Sequence, residues 1–262
     1  MEDANANLLV EKKPPLAVVT LNRPKVLNAL NAQTLVDLDF ALSGLRHDPS
    51  IRVVLLAGAG DRAFAAGADI RELETLNGEQ GHRFSLRGQR IFRSLETLGK
   101  PVIACIRGFA LGGGCELAMA CTFRLAADDA RLGQPEAKLG LLPGYGGTQR
   151  LPRLVGRGAA MRLLLTGAII GAEEAARIGL VDEVIPAPQL MERAQALALE
   201  IAANAPLAIA ETLRAVDEGL DLPLDEGLQR EAAGFGRLCA TLDKAEGTSA
   251  FLAKRKPAWS EK

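Results

Sequence analysis

Two glutamates carry the strongest chemical signal in this chain of 262 residues. Glu116 lies in GFALGGGCELAMA, residues 108–120, a stretch that is apolar almost throughout. It follows Gly112, Gly113 and Gly114 and precedes Leu117, Ala118, Met119, Ala120 and Cys121. That places it in the first turn of a helix apolar on every side, and such a helix is buried. An uncompensated buried carboxylate costs several kcal/mol, against a total stability of about 5–15 kcal/mol. Glu116 therefore either pairs with a cation, Arg124 and Arg131 being the candidates, or lines a cavity. Glu136 lies in LGQPEAKLG, where Pro135 suits a first helical position and Gly140 a stop. Alone it is an ordinary first-turn acid favoured by the helix dipole. Across a predicted strand from Glu116, it can also face the same pocket. Two carboxylates in one pocket titrate as a coupled pair, and one can accept a proton while the other donates.

The main chain offers a second kind of chemistry. The first N–H groups of a helix have no internal partner, and glycine lets a ligand oxygen approach them closely. The Gly112–Gly114 run supplies such donors, although tight helix–strand packing accounts for a glycine cluster equally well. RAFAAGADI, residues 62–70, follows a strand ending at Gly58, where ligands of open α/β sheets tend to bind. There the N–H of Ala68 can converge with that of Gly113. Two converging donors form an oxyanion hole, worth about 3 kcal/mol per donor. A rival reading of GAGDRA, residues 58–63, as a dinucleotide fingerprint is weak, because no clear helix follows and the third glycine is absent.

The remaining composition narrows the chemistry. There are only two histidines, His47 and His82, and neither has a Cys, Asp or second His at ligand spacing. No metal site is expected. Cys105, Cys115, Cys121 and Cys239 show no paired CxxC spacing and suit free thiols in a reducing compartment. With a formal net charge of -1, general binding to nucleic acid or anionic membrane is disfavoured. No apolar run reaches the roughly 18 residues of a membrane span, and the N-terminal residues are too polar for a signal peptide. The expectation is a cytoplasmic protein.

These residues need a scaffold. LAVVTLN (16–22), IRVVLLAG (51–58), PVIACI (101–106) and FRLAA (123–127) are short apolar runs that predict buried strands. Between the first two, Leu35, Leu38, Leu42 and Leu45 recur at helical spacing, and residues 79–98 predict another helix. Alternating strands and helices specify an α/β class. Beyond about residue 150 the strand signals mostly stop. Leu190, Ala194, Leu197 and Ile201 form one helical stripe, and helical patterns continue past Pro206 and Pro223 to a last helix at about 242–254. The expected division is a core of residues 1–195 and a helical region of residues 196–262.

Five segments then acquire a joint meaning: NRPKVLNALN (22–31), AFAAGADI (63–70), GFALGGGCELAMAC (108–121), GQPEAKLGLLPGYGGTQRLPRLVG (133–156) and AARIGLVDEV (175–184). Together they resemble the enoyl-CoA hydratase, or crotonase, family, in one register from about residue 8 onward. The resemblance implies a spiral of ββα turns with a C-terminal helical region that packs subunits into trimers or hexamers. It implies an acyl thioester of coenzyme A as substrate, with no separate cofactor. By position, the amides of Ala68 and Gly113 match the family's oxyanion hole, and Glu116 and Glu136 its catalytic pair. Leu27, Ala66 and Ile70 match the adenine pocket. Arg23 and Lys25 lie where relatives contact the CoA phosphates. Phe251 and Lys254 resemble a pair that reaches CoA, sometimes across a subunit boundary. The implied reaction is reversible hydration of a 2-enoyl-CoA. An isomerase acting mainly through Glu136 is the alternative within the family. An RNA-binding relative uses a lysine-rich helix, whereas residues 33–45 here contain no Lys or Arg but do contain Asp37 and Asp39.

Overall fold

The computed structural model describes residues 6–261. The chain begins with β1 (Leu8–Lys13), β2 (Leu16–Leu21), α1 (Ala32–Arg46), β3 (Val53–Gly58) and β4 (Ala63–Ala65). It continues with α2 (Ile70–Glu74), α3 (Gly78–Glu96), β5 (Val102–Ile106), β6 (Phe109–Leu111) and α4 (Gly113–Met119). Next come β7 (Phe123–Ala127), β8 (Arg131–Gly133), a 3-10 turn at Pro135–Leu139, and α5 (Gly147–Thr166). The last elements are β9 (Ile169–Gly171), α6 (Ala172–Arg177), β10 (Glu183–Ile185), α7 (Leu190–Ala202), α8 (Pro206–Gly219), α9 (Leu224–Cys239) and α10 (Leu242–Leu252).

Each passage of the chain lays a longer strand into one sheet and a short strand into a second. The larger sheet has the order β1-β2-β3-β5-β7-β10, and the smaller has β4-β6-β8-β9. Pairings β2–β3, β3–β5, β5–β7 and β7–β10 are parallel, while the edge strand β1 runs antiparallel to β2. In the smaller sheet β4–β6 and β6–β8 are parallel and β8–β9 antiparallel. The steps β3–β4, β5–β6 and β7–β8 are successive turns of one spiral, which is the ββα architecture that the resemblance implied.

The continuous apolar runs have a simple cause: the larger sheet is covered on both faces. Val54, Leu56, Val102, Ala104, Ile106 and Ala126 face the main core with α1, α3 and α4. The alternate residues Val53, Leu55, Ile103, Cys105, Leu125 and Ala127 face α7. Small side chains at Ala194, Ala198 and Ala202 let α7 lie close against them. The expected boundary at residue 195 falls inside this helix, so α7 belongs to the sheet's packing as a whole. Beyond it, α8 has no buried residue of its own and packs chiefly with α9.

Asp243, near the start of α10, is buried and accepts from the Ser260 N–H at 2.6 Å and the Glu261 N–H at 3.2 Å. The Trp259 indole N–H donates to the Ala203 carbonyl at 2.8 Å, so the final described residues tie α10 back to the end of α7.

Candidate active site

Three consecutive glycines deliver Glu116, each for a different steric reason. Gly112 has φ +48°, and a Cβ there would lie 2.8 Å from Glu136 Oε1. A Cβ on Gly113 would lie 3.1 Å from the Tyr145 ring and 3.3 Å from the Ala68 nitrogen. On Gly114 it would overlap the Ala65 carbonyl oxygen at 1.9 Å. The first glycine thus makes the turn beside one carboxylate, the second leaves space at a pair of amides, and the third seats α4 against β4.

Glu116 is 1% exposed and has no cation in contact among the described residues. Arg124 instead pairs with Asp182 and donates to the Leu180 and Cys121 carbonyls. Arg131 donates to the carbonyls of Asp129 and Ala130. The ion-pair alternative for Glu116 therefore has no counterpart. Its Oε1 accepts from the backbone N–H of Tyr145 at 2.8 Å and of Gly147 at 2.7 Å. Burial pushes its pKa from 4.5 to about 8, with the charge of Glu136 adding to the rise and the two amides opposing it.

Glu136 rides on the 3-10 turn Pro135–Leu139, which Gly140 ends in a left-handed conformation. Proline and glycine thus stand where expected, but the element is a tight turn in place of an α-helix. Burial raises the Glu136 carboxyl to about 7. Gln134 is buried beside it; with its amide nitrogen toward the carboxylate it donates to Oε1 at 3.0 Å and to Oε2 at 3.2 Å. Such a donor favours the charged form and works against the effect of burial.

The amide of Ala68 is placed by a short piece of parallel pairing. The Leu30 N–H donates to the Gly67 carbonyl at 2.8 Å, and the Asp69 N–H donates to the Leu30 carbonyl at 2.9 Å. Residues 67 and 69 thus bond to Leu30, which turns the Ala68 N–H to the opposite edge. Among the described residues neither this N–H nor that of Gly113 has an acceptor.

Glu116, Glu136, Ala68 and Gly113 all line one cavity of about 420 Å³. Leu73, Leu76, Phe84, Leu141 and Leu142 supply apolar wall. Tyr145 is fully buried between Phe84 and Phe92, with ring centroids 5.2 Å from each. It fits only because residue 88 is glycine: a Cβ there would lie 2.1 Å from the Tyr145 ring. The sequence carries no sign that amides of the PGYGG loop, residues 143–147, hold Glu116. Nothing in LRGQR marks Gly88, since a helical glycine carries no pattern.

The expected CoA contacts divide into three groups. Ala66 and Ile70 line the cavity, and the Ala66 N–H donates to the Leu27 carbonyl at 3.0 Å; Leu27 and Lys25 themselves are not among its lining residues. Lys25 is exposed. Arg23 departs from the expectation of a phosphate contact: its guanidinium turns inward, to the Ala29 carbonyl at 2.5 Å and Asp69 at 3.1 Å. Phe251, 83% exposed, lies in the last turn of α10 and the exposed Lys254 just beyond it, and neither lines this cavity.

The family model described as Enoyl-CoA hydratase/isomerase matches residues 11–262. The short-chain-enoyl-CoA hydratase of Clostridium acetobutylicum is 47% identical over 250 residues, covering 95% of this chain and 96% of the relative. The crotonyl-CoA hydratase of Syntrophomonas wolfei is 46% identical over 253 residues, covering 97% of each. Among solved structures, an enoyl-CoA hydratase from Bacillus anthracis superposes with a TM-score of 0.94 at 41% identity, covering 98% of this chain and 100% of the other.

Proposed function

This chain belongs to the enoyl-CoA hydratase/isomerase family, and from that premise we propose how it adds water to a short 2-enoyl-CoA. It is a hydro-lyase that interconverts a 2-enoyl-CoA and a 3-hydroxyacyl-CoA. The thioester oxygen accepts from the amides of Ala68 and Gly113. Those donors draw electron density from the conjugated system, make C3 electrophilic, and stabilise the enolate that forms on attack. Glu116 orients a water at C3 and takes its proton, while Glu136 delivers a proton to C2. In dehydration each step reverses. Oε1 of Glu116 is occupied by two amides, so Oε2 faces the water. Burial raises both carboxyls toward neutral pH, where they titrate as a pair, and hydration draws on the form in which Glu136 carries the shared proton.

The observation that carries this reading is the convergence of two carboxylates and two acceptor-free amides on one cavity. An isomerase needs only one carboxylate as a proton shuttle, and the pair favours hydration. The names of two relatives, crotonyl-CoA hydratase and short-chain-enoyl-CoA hydratase, support a short acyl group. Coenzyme A enters as part of the substrate, with no separate cofactor, and the reaction takes place in the cytoplasm. Self-association into a trimer or hexamer is supported by exposed apolar side chains on α8 and α9, among them Val216, Leu220, Leu224 and Phe235. In such an assembly Phe251 and Lys254 reach the CoA of a neighbouring subunit.

Loss of the enoyl thioester absorbance across 2-enoyl-CoA substrates of four to ten carbons (roughly the span from short to medium chains) tests the reading. The highest kcat/KM is expected with the shortest member. No turnover of any member contradicts it.

A further inference from the structure

We propose that Arg23 is a positioning residue for the oxyanion hole, holding the Ala68 amide in place through Asp69. The inference rests on the reading of Ala68 and Gly113 as donors to the thioester carbonyl. The guanidinium of Arg23 bridges two parts of the chain: Nη1 donates to the Ala29 carbonyl at 2.5 Å and Nη2 to Asp69 Oδ2 at 3.1 Å. Its own backbone N–H donates to Asn28 Oδ1 at 2.9 Å, and the buried Asn28 amide donates onward to the Ala63 carbonyl at 2.7 Å. The Arg23 side chain is 19% exposed, so its pair with Asp69 is less screened than a surface pair.

What the pair holds has few other supports. Asp69 is the N-cap of α2 and directly follows Ala68. Helix α2 has five residues and none of them is buried, so apolar packing does little to fix it. It is fastened by polar ties at two points. Arg23 takes the Asp69 carboxylate, and the Ala32 N–H donates to Glu72 at 2.9 and 3.1 Å. Between them Leu30 makes its two backbone bonds to residues 67 and 69. The Ala68 N–H therefore owes its direction to the 23–32 loop, and among the described residues Arg23 is the one charged link between that loop and Asp69. Donor geometry is demanding: a misplacement of about 1 Å can slow a reaction by about 100-fold. Arg23 has its Nη1 and Nη2 committed to protein acceptors, and Lys25 remains the exposed cation of the loop for phosphate.

Arg23→Met and Arg23→Lys, assayed with crotonyl-CoA and with crotonyl-pantetheine, separate positioning from phosphate contact. A positioning role lowers kcat at least tenfold (about the scale set by donor misplacement) on both thioesters. Lysine, which keeps the Asp69 pair and loses the Ala29 bond, recovers part of it. A rise in KM confined to crotonyl-CoA with kcat unchanged overturns the proposal, as does no change at all. The carbonyl stretch of bound, isotope-labelled butyryl-CoA gives a second reading. The wild type should shift it to lower frequency, Arg23→Met should lose much of that shift, and an unaltered shift overturns the proposal. If Arg23→Met does not fold, Arg23→Lys carries both measurements. Failure of the wild type to hydrate crotonyl-CoA counts against the hydratase reading, and the carbonyl shift then decides the role of Arg23 by itself.

Discussion

Glu116 and Glu136 line the same cavity but are held by different means. Backbone amides from the loop ahead of α5 fix Glu116, and a buried side-chain amide, that of Gln134, contacts Glu136. Among the described residues neither carboxyl has an arginine in contact. Both stay close to neutral pH in their proton affinity, which is the range where a proton can be both taken and given.

The pH dependence of kcat/KM should follow from that pair. Hydration needs one carboxyl protonated and the other charged. With values of about 7 and about 8, that state is most populated between them. A bell-shaped profile with its maximum between about pH 7 and 8 is expected, and its limbs belong to the pair. A profile flat from pH 5 to 9 (roughly two units either side of the pair) contradicts the assignment.

Glu116 should also make the protein less stable as pH rises. Its carboxyl binds a proton more tightly folded, at about 8, than at its ordinary value of 4.5. Between those values the folded state carries more protons than the unfolded one, so stability falls with increasing pH. Glu116→Gln removes that slope. Thermal melting should show the variant gaining on the wild type from pH 5 to pH 8, by a few degrees (about 2–4 °C per kcal/mol for a chain of this size). A constant difference across that range speaks against a buried carboxyl whose proton affinity is raised by folding.

Gly113→Ala should damage catalysis far more than folding. Its Cβ would sit 3.3 Å from the Ala68 nitrogen and 3.1 Å from the Tyr145 ring, in the space where the thioester oxygen must lie. Loss of one oxyanion donor typically costs about 10²–10³ in kcat, and a fall of that order is expected with melting little changed. Gly114→Ala is the structural control. Its Cβ would overlap the Ala65 carbonyl, and soluble, folded protein should be hard to obtain. Equal loss of folding in both variants would make the run a packing device only.

Much of this was legible in the sequence because burial leaves a pattern. The four apolar runs are strands of five or six residues, and Leu35, Leu38, Leu42 and Leu45 are all buried on α1. The short strands β4, β6, β8 and β9, of three residues each, are too brief to show a period. The strand β1 was hidden because LLVEKK is an exposed edge. Within the site, Glu116 stood out because a charge in an apolar helix needs a reason. The resemblance puts Arg23 on a phosphate, since a sequence shows a cation's position but not its partner; the fold puts Asp69 beneath it. Likewise Gly88 and Tyr145 are distant in sequence, and their fit exists only across the packed helix.

The most direct measurement is hydration of crotonyl-CoA by Glu116→Gln and Glu136→Gln beside the wild type, followed by loss of enoyl absorbance. Glutamine keeps the shape of each side chain and removes its proton chemistry. Each variant should remain folded and turn over at least tenfold more slowly, with about 10²–10⁴ expected for removal of an acid–base group. Hydration at the wild-type rate by folded Glu116→Gln contradicts the two-carboxylate account.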